Sequence, residues 1–116
     1  IYNNVTTIGD IKGNFSNNYA KSDTAQANGG AIVFIGKSNA GVIEKATIES
    51  IEGNFNNNYA IGYGRTSGGA INANNYSEVT NGIKGNFNGN YAKSTGTSAE
   101  IPMLHLRRPF TSNGKN

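Results

Sequence analysis

One ten-residue phrase occurs three times in this chain. Ile11-Lys12-Gly13-Asn14-Phe15-Ser16-Asn17-Asn18-Tyr19-Ala20 returns as Ile51-Glu52-Gly53-Asn54-Phe55-Asn56-Asn57-Asn58-Tyr59-Ala60 and again as Ile83-Lys84-Gly85-Asn86-Phe87-Asn88-Gly89-Asn90-Tyr91-Ala92. A second phrase, Gly29-Gly30-Ala31-Ile32, returns as Gly68-Gly69-Ala70-Ile71. Phe15 and Phe55 are 40 residues apart, Phe55 and Phe87 are 32 apart, and Gly29 and Gly68 are 39 apart. From Phe to the next Gly-Gly the distance is 14 and then 13 residues; from Gly-Gly to the next Phe it is 26 and then 19. One half of the unit is nearly constant and the other varies, the pattern left by an insertion into one connection of a stacked repeat. Such repeats specify a quasi-one-dimensional fold, in which each unit buries its apolar residues against its neighbours.

The residue types choose between helical and β repeats. Gly-Gly, Asn-Asn and β-branched residues all oppose helix. Short strands are expected at residues 5–8, 11–15, 31–35, 42–51, 70–73 and 82–87, separated by turn-rich stretches. A turn of β-helix takes about 20 residues, so the 40-residue unit reads as two turns, one per phrase, with about five turns overall. The expected class is therefore all-β, a parallel β-helix or β-solenoid.

Within that scheme every repeated position has a structural task. Phe15, Phe55 and Phe87 point inward and supply buried area. Ile11, Ile51 and Ile83 stand four residues earlier, on the same strand face. Asn18, Asn58 and Asn90 suit left-handed turns and bonds to backbone where the chain bends. The Gly-Gly-Ala-Ile copies at 29–32 and 68–71 suit tight corners and close approach of a neighbouring turn. The polar segments 21–28, 61–67 and 93–98 diverge between copies; they are expected to be exposed loops and the place where a ligand would bind.

Residues 1–98 carry this pattern and residues 99–116 do not. The tail holds both prolines (Pro102, Pro109), the one methionine (Met103), the one histidine (His105), the two leucines (Leu104, Leu106) and two of three arginines. Where a third Gly-Gly-Ala-Ile is due, Ala99-Glu100-Ile101 stands instead. The tail is read either as a cap over an open β-edge or as a segment foreign to the array.

Alternating Gly-Gly-Ala-Ile and Phe-x-x-Asn, the latter at 15–18, 55–58 and 87–90, resembles the passenger repeats of Gram-negative autotransporter adhesins. The resemblance is to the polymorphic outer-membrane proteins in particular, and it covers roughly residues 5–98. It implies a right-handed parallel β-helix displayed outside the cell or at the outer membrane, with adhesion as its role. It also implies a separate C-terminal membrane β-barrel, a pattern of alternating strands that this chain does not carry. It transfers no catalytic residues.

The rest of the sequence offers little chemistry. The absence of cysteine excludes disulfides and thiolate metal sites. The net charge of +3 is shared unevenly: residues 1–96 carry seven Lys/Arg against six Asp/Glu, so the body shows no basic stripe for nucleic acid. Ile35-Gly36-Lys37-Ser38 matches the end of a phosphate-binding loop, but Ala31 occupies the position of its first glycine. Gly62-Tyr63-Gly64 opens like a dinucleotide fingerprint, with Ser67 where the third glycine belongs. His105 has no histidine partner, and Asp10, Asp23, Glu44, Glu49, Glu52 and Glu78 are scattered. The sequons at Asn4, Asn14 and Asn75 are of the number an Asn-rich chain produces by chance.

The expected function is thus non-enzymatic: a structural or adhesive segment with no cofactor or metal. Its expected partners are a host-surface or carbohydrate ligand held by exposed loops, or further copies through open β-edges. The alternatives are an Asn-rich cross-β fibre and, more weakly, a fragment of a carbohydrate-active β-helix enzyme.

Overall fold

In the computed structural model the described residues are 1–96 together with the strand segments 100–101, 104–106 and 110–112. They are all-β, with no helix among them. The chain passes repeatedly through the same set of short parallel sheets. The first pass supplies β1 (Tyr2–Asn4), β2 (Thr7–Ser16) and β3 (Tyr19–Ser22). The second supplies β4 (Ile32–Ile35), β5 (Lys37–Asn39), β6 (Val42–Glu44), β7 (Ala46–Asn56), β8 (Tyr59–Gly62) and β9 (Thr66–Ser67). The third supplies β10 (Ile71–Ala73), β11 (Ser77–Val79), β12 (Ile83–Asn88), β13 (Tyr91–Ser94) and β14 (Glu100–Ile101). A fourth begins with β15 (Leu104–Leu106) and β16 (Phe110–Ser112).

Strands from successive passes pair in parallel. One sheet runs β1-β4-β10-β15; a second joins β2, β7, β11, β12 and β16; a third runs β13-β8-β3; a fourth pairs β9 with β14. The two outer passes meet the middle one residue for residue: Phe15 faces Phe55 and Phe55 faces Phe87, and likewise Tyr19, Tyr59 and Tyr91. Each repeat therefore forms one layer. The expectation of two turns per repeat and about five turns overall is corrected: a turn of about 20 residues would put Phe15 and Phe55 two strands apart, whereas they are adjacent. The physical reason is that one layer contains both phrases. Gly-Gly-Ala-Ile leads into the first sheet, and Gly-Asn-Phe-x-x-Asn closes the second and turns into the third.

The unequal spacing of the repeats has one main source. Between the paired positions Phe34/Ala73 and Ala46/Ser77 the second layer has eleven residues (35–45) and the third has three (74–76). The surplus of eight matches the antiparallel hairpin β5–β6, residues 37–44, which turns through Ala40 (φ 51°) and Gly41 (φ 81°). A smaller adjustment lies in the third layer, where Thr80, Asn81 and Gly82 oppose only Glu49 and Ser50. This is a bulge, and Gly82 at φ 91° supplies its left-handed residue.

The core lies between the sheets. Ile32, Phe34, Ile48, Ile51, Phe55, Ile71, Val79 and Ile83 are buried in one cluster, with Phe15 and Phe87 packed against it. The three phenylalanine rings stack with centroids 4.8 Å apart in both steps. Two glycine positions explain why the phrase needs glycine. A Cβ on Gly53 would land on the Gly13 carbonyl, and one on Gly85 would land on the Gly53 carbonyl. In the Gly-Gly pairs, Gly29 and Gly68 take φ near +67° and +68° to turn the corner, while Gly30 and Gly69 pass directly under the backbones of Tyr59 and Tyr91.

Two further expectations change. The left-handed residues are Asn17 (φ 59°), Asn57 (φ 57°) and Gly89 (φ 66°), one position before Asn18, Asn58 and Asn90. Glycine at 89 in place of asparagine fits that role. The segments expected as loops begin as strands, since β3, β8 and β13 cover residues 19–22, 59–62 and 91–94. The alternation of Tyr and Lys outward with Ala inward was the signal for them. In the tail, β14, β15 and β16 pair in parallel with β9, β10 and β11, and Leu104 stands in register with Ile71. Pro102, Met103, Arg107, Arg108 and Pro109 lie outside the described residues.

Candidate functional site

The repeated residues singled out in the sequence come together as ladders. Ile11, Ile51 and Ile83 stack in register inside, as do the three phenylalanines. Ala31, Ile32, Ala70 and Ile71 are core residues, with Ile32 paired to Ile71. The asparagine ladder is a hydrogen-bonded column. Asn58 Oδ1 accepts from Asn18 N (3.0 Å) and Asn18 Nδ2 (2.9 Å). Asn58 Nδ2 donates to the Phe15 carbonyl (2.8 Å) and to Asn90 Oδ1 (2.8 Å). Asn90 Nδ2 in turn donates to the Phe55 carbonyl (2.7 Å). These residues build the scaffold.

The outer surface carries its own ladders. Tyr19, Tyr59 and Tyr91 stack at 5.3 and 5.2 Å, and the outer two are 62% and 42% exposed. Asn54 Nδ2 donates to Asn14 Oδ1 (2.9 Å) and Asn86 Nδ2 to Asn54 Oδ1 (3.0 Å), an exposed amide row on the second sheet. Lys12 pairs with Glu52 at 3.4 Å across layers. The β5–β6 hairpin exposes Val42 and Ile43 and is closed by a Lys37–Glu44 ion pair of 3.4 Å.

The outward face of the first sheet forms a cavity of about 350 Å³ lined by Tyr2, Gln26, Asn28, Val33, Ile35, Asn72 and Asn74. Tyr2, Val33 and Asn72 are cross-strand neighbours. Ile35 and Asn74 lie two residues further along the same face. Gln26 and Asn28 come from the polar segment 21–28, where a ligand was expected; Asn28 is held by a bridge to Ser67, whose hydroxyl donates to Asn28 Oδ1 at 2.8 Å. Asn72 is fully buried between the core residues Ile71 and Ala73, and among the described residues neither its Nδ2 nor its Oδ1 has a hydrogen-bond partner. Nothing in the sequence marked Asn72: its counterpart in the second layer is Val33, and only the sheet register shows which way it faces.

The weak motif matches take ordinary structural places. Gly36 N donates to the Asn75 carbonyl (2.6 Å), and Lys37 is committed to Glu44, so no phosphate cradle forms there. Tyr63 and Gly64 donate to the Ala25 carbonyl in a turn after β8. Among the described residues no three His, Cys, Asp or Glu gather as metal ligands. The side chain of His105 lies outside what is described. No family model, curated protein or solved structure matches the chain.

Proposed function

We propose that the chain is part of a right-handed parallel β-helix on a bacterial cell surface, extracellular or at the outer membrane. Its role is that of a non-enzymatic stalk or adhesive face, and membrane attachment would come from a separate barrel domain. The observation that carries this reading is the exposed ladder Tyr19–Tyr59–Tyr91 on an in-register scaffold. The core needs no tyrosine there, and exposed aromatic rows of this kind mark interaction surfaces. The resemblance of the two alternating phrases to autotransporter passenger repeats supports the location.

A second reading, self-assembly into fibres, has an observation of its own. A Cβ on Gly13 would meet nothing within 4 Å, so the first layer keeps room for another layer on its open side.

The test is retention of labelled chain on cultured epithelial cells and on beads carrying neutral or acidic glycans. Sedimentation and reducing-end assays run in parallel. The reading expects saturable retention by a monomer with no new reducing ends. Failure to bind any surface contradicts adhesion. Large thioflavin-binding species that grow with concentration favour the fibre, and released reducing ends favour an enzyme.

A further inference from the structure

Among the described residues, Asn72 is the buried side chain whose polar atoms both lack a partner. A carboxamide offers two donors and an acceptor, and burying it with all of them unused is costly in a folded chain. The buried Asn58 uses both its Nδ2 and its Oδ1, and the buried Asn3 uses its Nδ2 but not its Oδ1, whereas Asn72 uses neither. Asn72 faces the cavity on the first sheet instead of a neighbouring ladder residue.

The lining around it has a definite chemistry. Among the described residues no charged side chain lines the cavity. Four carboxamides, from Gln26, Asn28, Asn72 and Asn74, surround the apolar side chains of Val33 and Ile35. Asn28 and Asn74 each have one amide oxygen already engaged, by the Ser67 hydroxyl and by the Asn75 N–H, which leaves their Nδ2 groups to point elsewhere. Tyr2, 68% exposed, adds an aromatic ring and a hydroxyl at the rim. Amide donors and acceptors suit adjacent hydroxyls, which both donate and accept. An apolar strip and an aromatic ring suit the C–H face of a pyranose. The cavity's 350 Å³ has room for one or two such rings.

We propose that this cavity is a binding site for a neutral saccharide unit, in which Asn72 hydrogen-bonds a ring hydroxyl and Val33, Ile35 and Tyr2 pack against the sugar face. The proposal rests on the adhesive reading above and names its ligand class and its place.

The test is chemical-shift mapping and saturation-transfer NMR on the intact chain, with glucose, galactose, N-acetylglucosamine, lactose and cellobiose as probes. At least one sugar is expected to shift the side-chain amides of Asn72, Gln26, Asn28 and Asn74. Asn72→Ala is expected to weaken that sugar by roughly tenfold or more, the worth of one or two hydrogen bonds, without lowering the melting temperature. Tyr2→Ala, at an exposed position, should weaken it while leaving the fold untouched. If Asn72→Ala lowers the melting temperature and leaves sugar binding intact, the amide is structural and the proposal fails. Retention on cells with no sugar-induced shift at the cavity overturns this site and leaves the adhesive reading standing. Loss of retention on every surface, with no shift anywhere, overturns both.

Discussion

Replacing Phe55 by alanine is expected to cost about 3–5 kcal/mol of unfolding free energy, the range for deleting a fully packed aromatic ring. Phe55 is 0% exposed and has a ring stacked on each face, Phe15 on one side and Phe87 on the other, both at 4.8 Å. Removing it opens a cavity in the middle layer that neither neighbour can fill, because their backbones are fixed by in-register pairing on both sides of β7. Against a total stability of about 5–15 kcal/mol for a small domain, that loss brings the chain close to unfolding at room temperature. Phe15→Ala removes a ring with one stacked neighbour and a partly exposed side, and should cost distinctly less. Equilibrium denaturation in urea measures both. A loss below about 1 kcal/mol at Phe55 would mean that the stacked rings are not the core ladder.

Asn58→Ala is the second large effect, and its cause is polar. The change strands the Asn18 N–H and the Phe15 carbonyl, and it cuts the amide column between Asn18 and Asn90. Each stranded buried group costs about 1–3 kcal/mol, so the expected loss is about 2–4 kcal/mol. Asn58→Leu restores the volume but not the bonds and should recover little of it. Asn18→Ala, at the exposed end of the column, should cost under about 1 kcal/mol, the net worth of one solvent-accessible hydrogen bond. The same urea titrations decide the matter. Equal losses at Asn18 and Asn58, or full recovery in Asn58→Leu, would show that the site is held by packing and not by the amide column.

These two residues were legible in the sequence because they recur. The repeat pointed to an all-β stack with phenylalanines inside; the described residues are all-β, Phe15, Phe55 and Phe87 stand in register, and the glycines at 53 and 85 lie against the backbone of the preceding layer. What the repeat did not contain was the length of one layer. A period of 40 is compatible with two short turns or with one turn carrying an insertion, and only the pairing of Phe34 with Ala73 and of Ala46 with Ser77 isolates the hairpin 37–44 as the insertion. The left-handed residues were misplaced by one, since Asn17-Asn18 and Asn57-Asn58 are pairs in which either member suits the turn. The third copy, Gly89-Asn90, held the answer, as glycine marks the strained position.

The cavity was legible only in part. The segment 21–28 was expected to carry a ligand, and it contributes Gln26 and Asn28. Asn72 and Asn74 stand in the third layer and Tyr2 in the first, at positions that do not repeat, and their convergence is a product of register. A one-dimensional pattern search finds residues that recur; a site built from unlike residues at equivalent positions gives it no signal.

Each repeat forms one layer, so that residue 14 lies beside residue 54. Cysteine cross-linking of Asn14→Cys/Asn54→Cys tests it directly. The chain has no cysteine of its own, both positions are exposed, and their side chains already touch through a 2.9 Å hydrogen bond. Adjacent parallel strands place the two Cα atoms about 4.8 Å apart, inside the range a disulfide spans. With one layer per repeat, mild oxidation forms one intrachain disulfide rapidly and nearly completely, with the melting temperature retained or raised. If each repeat made two layers, the pair would stand about 9.6 Å apart, and a folded monomer that leaves both thiols free would rule out one layer per repeat.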